Sequence, residues 1–145
     1  MILGVILGLA AMSSLDTHGT AALTASEAHR NAMTLPMPEV VEQLVELLGA
    51  TAVAAIAGVK ETRAVQQWAS GVRAPQRPHV LRFALQIALM ICTLKSRDFA
   101  QAWFHGANPG LDDLVPLALL RDEPLGSVQA KIMSAARDFA IAPSV

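Results

Sequence analysis

The sequence predicts an all-α chain, and three observations carry that prediction. Alanine and leucine supply most of an apolar fraction of 53% over 145 residues, and both are strong helix formers. Aromatics stand at 4% with no tyrosine, and period-two runs of β-branched or aromatic residues are hard to find. Apolar residues recur three and four apart, in segments punctuated by glycine and proline. The length suits one domain, or two small helical subdomains.

The elements follow in order. Ile2 to Met12 is apolar, but only about half the length that spans a bilayer. It is like the apolar stretch of a signal peptide, yet no Lys or Arg precedes it. A flexible leader is expected over 1–35; a short helix packed on the body and an export signal are the alternatives. The first convincing helix follows Leu35-Pro36-Met37-Pro38, with Pro38 in its first turn and Glu39 and Glu42 near its positive end. Val40, Val41, Leu44, Leu47 and Leu48 form its apolar face, and Gly49 is the expected stop.

Thr51 then caps a short helix through Ile56, which Gly58 breaks. A second short helix runs over 62–69, with Gly71 as its stop and Pro75 beyond. Val53, Ile56, Val59, Val65 and Trp68 can lock the two together, and two short helices about a glycine-containing turn form a helix-turn-helix. From Pro78 to Leu94 lies a nearly all-apolar helix whose polar residues His79, Arg82, Gln86 and Thr93 make a narrow stripe. A helix this apolar is either a central core element or a dimer interface. A further helix is expected over 98–105 and one or two apolar turns over 115–120. A closing amphipathic helix follows Pro124, with Leu125, Val128, Ile132, Ala135 and Phe139 inward and Lys131, Ser134, Arg137 and Asp138 outward.

Charge is unevenly laid out behind a net value of −1. Residues 60–97 hold seven bases against one acid, whereas the flanking stretches carry −4 and −3. A basic middle between acidic ends suggests an electropositive face. The second helix of a helix-turn-helix offers its N-terminal residues to the major groove. Those residues are Thr62, Arg63, Gln66 and Gln67, with Lys60 in the turn. Arginine reads guanine through two hydrogen bonds and glutamine reads adenine likewise. Arg73, Arg77 and Arg82 would then meet phosphates, which position without specifying. The same pattern also suits a polar face on a helical hairpin with no nucleic-acid role.

Nothing in the sequence suggests catalysis. His18, His29, His79 and His105 have no metal-ligand spacing, and no HExxH, GxSxG or glycine-rich phosphate loop is present. Cys92, the one cysteine, sits in an apolar run and reads as a small buried hydrophobe. Asp112-Asp113 reads as a solvated loop. No catalytic residue, metal site or cofactor is expected, and no membrane association.

Two stretches carry a family resemblance. Val65-Gln-Gln-Trp68-Ala-Ser-Gly71, with Pro75 beyond, is similar to an Xre-like helix-turn-helix. Ala102-Trp-Phe-His-Gly-Ala-Asn-Pro-Gly-Leu111, then Pro116-Leu-Ala-Leu-Leu-Arg121 and the closing helix, resembles the toxin-binding domain of Xre/MbcA/ParS antitoxins. The resemblance covers residues 40–141. It implies a helix-turn-helix bundle over 36–95 and a small helical toxin-binding subdomain over 96–145. It also implies a cytoplasmic antitoxin that covers a RES-domain, NAD-degrading toxin and represses its operon by binding operator DNA. The assembly would be a homodimer or a toxin–antitoxin hetero-oligomer; the alternative is a stand-alone dimeric regulator. Trp68, Trp103, Asn108, Leu111 and Pro116 would be scaffold, and Lys131, Arg137 and Asp138 are the expected toxin contacts. Two departures stand out: the turn before Val65 looks one residue longer than usual, and Asp112-Asp113 stands where the family often has glycine.

Overall fold

A computed structural model describes residues 20–143, so the readings made for Met1–Gly19 lie outside the described residues. Among the described residues eight α-helices follow one another: α1 (Thr20–Thr34), α2 (Met37–Leu48), α3 (Ala50–Ala57), α4 (Thr62–Ala69), α5 (Pro78–Leu94), α6 (Arg97–His105), α7 (Pro116–Asp122) and α8 (Leu125–Ile141). A 3-10 turn at Pro109–Leu111 sits between α6 and α7. No strand occurs among the described residues, only an isolated bridge between Asn108 and Leu114. The chain is all-α, and no described helix is long and apolar enough to cross a membrane.

The core is organised around α5. Ten of its side chains are buried, from Val80 to Ile91, and α1, α2, α6 and α8 all pack on it. Of the two roles open to so apolar a helix, the structure gives it the core one, because its apolar surface is consumed within the chain. One buried cluster joins Leu85 and Ile91 of α5 to Leu44 of α2, Phe104 of α6, Leu120 of α7 and Ile132 of α8. The core therefore runs without a break across the boundary expected at 95/96.

Two expectations near the N-terminal end are corrected. Residues 20–34, expected as part of a flexible leader, are helical, and Ala28 and Ala32 are buried where α1 meets α5. Four residues apart, these two alanines share one helix face, and their small side chains let the backbones approach. Arg82 fastens the end of that helix: its Nη1 donates to the carbonyls of Ala32 and Leu35 at 2.9 and 2.8 Å. Thr51, expected to cap α3, lies exposed inside it. The cap is Gly49, whose φ of 91° lets its N–H close α2 on Val45 O while its carbonyl accepts from Val53 N.

The second half is tied by short local bonds. Ser96 caps α6 by accepting from Phe99 N at 3.2 Å, and Gln101 Nε2 donates to Leu47 O, a free carbonyl at the end of α2. Lys95 Nζ donates to Ala142 O beyond α8 and lies 5.3 and 5.6 Å from the rings of Phe99 and Phe139.

Candidate nucleic-acid interface

Helices α3 and α4 are joined by the four residues 58–61. Gly58 adopts the left-handed conformation at φ 78°, which closes α3 through bonds from Gly58 N and Val59 N to carbonyls of its last turn. The chain then extends through Glu61 into α4. Val65 and Trp68, three residues apart, are 1% and 6% exposed, so this face of α4 is fixed to the core. Thr62, Arg63 and Gln66 are exposed and Gln67 is half-buried. Arg63, Gln66 and Gln67 share the side of α4 turned away from Val65 and Trp68, as their spacing requires.

The loop beyond α4 is folded back on it. The Gln67 carbonyl accepts from Val72 N and Arg73 N at 3.0 and 3.2 Å, and Gly71 takes φ 80° beside Pro38 of α2. This brings Arg73 and Gln67 to one open recess of about 270 Å3, which Trp68 also lines. Lys60, Arg63 and Arg73 are exposed, and their side chains have no hydrogen-bond or ion-pair partner among the described residues. Three cations and two amides thus lie on or beside one short helix held rigidly from behind.

Arg77, expected at a phosphate, does not stand free beside them, because its guanidinium is engaged within the chain. It is half-buried; Nη2 donates to Leu120 O and Nη1 to Arg121 O, both at 3.0 Å, with a longer approach of 3.5 Å to Ile56 O. Its cation sits against the carbonyl end of α7, where helix geometry leaves acceptors free and the dipole favours positive charge. Arg82 is spent in the same way on the end of α1. No side-chain pattern in the sequence could have signalled either role, because the acceptors are backbone carbonyls far along the chain.

The other named residues divide by burial. Trp68, Trp103, Leu111 and Pro116 are buried, and Trp103 meets Phe104 edge-on at 5.3 Å. Asn108 Oδ1 accepts from Gly110 N at 2.8 Å while its carbonyl accepts from Leu111 N and Asp113 N, so one residue sets the whole turn. Asp112 and Asp113 both take left-handed φ, 57° and 63°, a conformation that glycine adopts without cost and aspartate tolerates. Lys131, Arg137 and Asp138 are exposed on α8 but do not form one patch. Lys131 pairs with Asp112 at 3.4 Å, Asp138 lies two turns further on the same side, and Arg137 points roughly 100° away from Asp138.

Groups with catalytic potential are dispersed. His29, His79 and His105 are exposed, and His18 lies outside the described residues. No three His, Cys, Asp or Glu side chains gather as metal ligands among the described residues. Burial pushes the Cys92 thiol up, with Arg97 opposing in smaller measure, so the thiol stays protonated near neutrality. No family model matches the chain, and neither a curated protein nor a solved structure matches it.

Proposed function

We propose that this chain is the antitoxin of a type II toxin–antitoxin pair, which binds operator DNA through α4 and neutralises a RES-domain, NAD-degrading toxin by direct contact in the cytoplasm. The observation that carries the DNA half is the construction of α4: Val65 and Trp68 are buried while Arg63, Gln66 and Lys60 are exposed, and neither base has a protein partner among the described residues. In the groove, Arg63 would offer two donors to a guanine edge and Gln66 or Gln67 would pair with adenine. Lys60 and Arg73 would meet phosphates on either side, each displacing a counterion and making affinity fall with salt.

The toxin half rests on the resemblance of Trp103, Asn108, Leu111 and Pro116 to the antitoxin signature. The left-handed Asp112 and Asp113 support it, since the position where the family often has glycine carries the backbone that glycine prefers. On this reading the chain neutralises by covering its partner; it performs no reaction and takes no cofactor. The test is co-expression with the gene's immediate neighbour, read by growth and by a tagged pull-down. A neighbour that is toxic alone, harmless beside this chain and retained with it is the expected result. A harmless neighbour that does not co-purify would remove the antitoxin reading.

A further inference from the structure

We infer that the groove between α1 and α8, floored by α5, docks an acidic amphipathic helix of a partner protein. The groove has a volume of about 580 Å3 and opens to solvent. Each wall pairs an arginine with a methionine: Arg30 and Met33 on α1, Met133 and Arg137 on α8. These pairs are three and four residues apart, so each presents one face to the groove. Met90 of α5 forms the floor, and His29 adds a further basic group to the α1 wall.

Three features of this lining select the occupant. Met33 is 55% exposed, a large apolar side chain held in water. Methionine is unbranched and adaptable, and a methionine-lined surface takes the apolar stripe of a helix by rearranging around it. No carboxylate is among the described lining residues, and the guanidinium groups of Arg30 and Arg137 have no hydrogen-bond or ion-pair partner among the described residues. Guanidinium groups pair with carboxylates through two parallel hydrogen bonds. A helix with glutamates or aspartates flanking an apolar stripe satisfies both chemistries at once. A phosphate backbone would meet the arginines but bring nothing to the methionines, and an open groove does not enclose a small ligand as small-ligand pockets do. The groove shares no lining residue with the recess beside α4, so DNA and this partner need not compete. The inference deepens the partner-binding half of the proposed function and rests on that reading for the partner's identity.

The test uses the full chain with methyl-labelled methionine. The probe is a synthetic amphipathic peptide of about 15 residues, long enough for helix, with leucines at helical spacing flanked by glutamates. The methyl signals of Met33, Met90 and Met133 are expected to shift while that of Met37, outside the groove, stays. Affinity should fall about tenfold or more in the variant carrying Arg30→Glu and Arg137→Glu, and should weaken with salt. Arg137→Gln alone, which keeps a polar side chain, should give a smaller loss in the same direction. No methyl shift overturns the inference, as does equal binding of a lysine-flanked peptide. Shifts produced by duplex DNA, or by concentrating the protein alone, would assign the groove to nucleic acid or a second copy and also overturn it. The co-expressed neighbour separates the two readings. A neighbour retained equally by wild type and double variant overturns the groove while leaving the antitoxin reading in place. A chain that binds the acidic peptide but no neighbour does the reverse.

Discussion

The exposed face of α4 and the first turns of α5 are built from the same basic stretch, yet they use their charge in opposite ways. On α4 and its flanks, the side chains of Lys60, Arg63 and Arg73 stand in water with no partner among the described residues. At the start of α5, Arg77 and Arg82 are half-buried and bonded to the carbonyl ends of α7 and α1. A count of positive charge treats all five alike. Only the first three can serve a ligand without dismantling something else.

The two sets of bases differ most in what they contribute to stability. Arg77→Ala removes two 3.0 Å charge-assisted bonds that hold α7 against the start of α5. It should cost about 2–3 kcal/mol, read from the denaturation midpoint, taking bonds to charged groups at about 1.5–3 kcal/mol and discounting for partial exposure. DNA affinity of the remaining folded protein should be unchanged; a loss of affinity at full stability would return Arg77 to the phosphates. Arg82→Ala should cost about 2 kcal/mol by the same reasoning. It should also speed amide exchange in the last turn of α1 more than in α4, and uniform exchange across both helices would break the local picture.

The opposite pattern is expected on α4. Arg63→Ala should leave thermal stability within about 0.5 kcal/mol, as for exposed positions generally. It should cost about 1–3 kcal/mol of specific DNA binding and relax base preference at one position. Equal losses on selected and random DNA would make Arg63 a phosphate contact instead. Arg73→Ala is the mildest: it should weaken all sequences alike and reduce the salt slope by about one. An unchanged slope would show that Arg73 lies off the DNA.

Much of the fold was legible because glycine and proline punctuate it. Helices α4 and α5 run over 62–69 and 78–94 as expected; Gly71 and Pro75 lie just beyond the end of α4, and Pro78 opens α5. Trp68 and Trp103 were legible as core by size and spacing, and both are buried. Helix α1 was not legible, because the residues described as buried in it, Ala28 and Ala32, stand out poorly in so alanine-rich a chain. The capping role of Thr51 failed because Gly49 serves both neighbouring helices at once. The positions of Arg77 and Arg82 were hidden because their acceptors lie 43 to 50 residues away and are main-chain carbonyls. The three expected toxin contacts illustrate the same limit. All three are exposed, as their positions on the amphipathic helix predict, but Lys131 faces Asp112 whereas Arg137 faces α1.

Selection from a random-sequence duplex pool by the full chain tests most directly whether α4 reads DNA. The wild type should enrich one sequence, bind it with strongly salt-dependent affinity, and lose that preference on Arg63→Ala while staying fully folded. No enriched sequence, or affinity indifferent to salt, would contradict it and leave the exposed face of α4 as a polar surface without a nucleic-acid role.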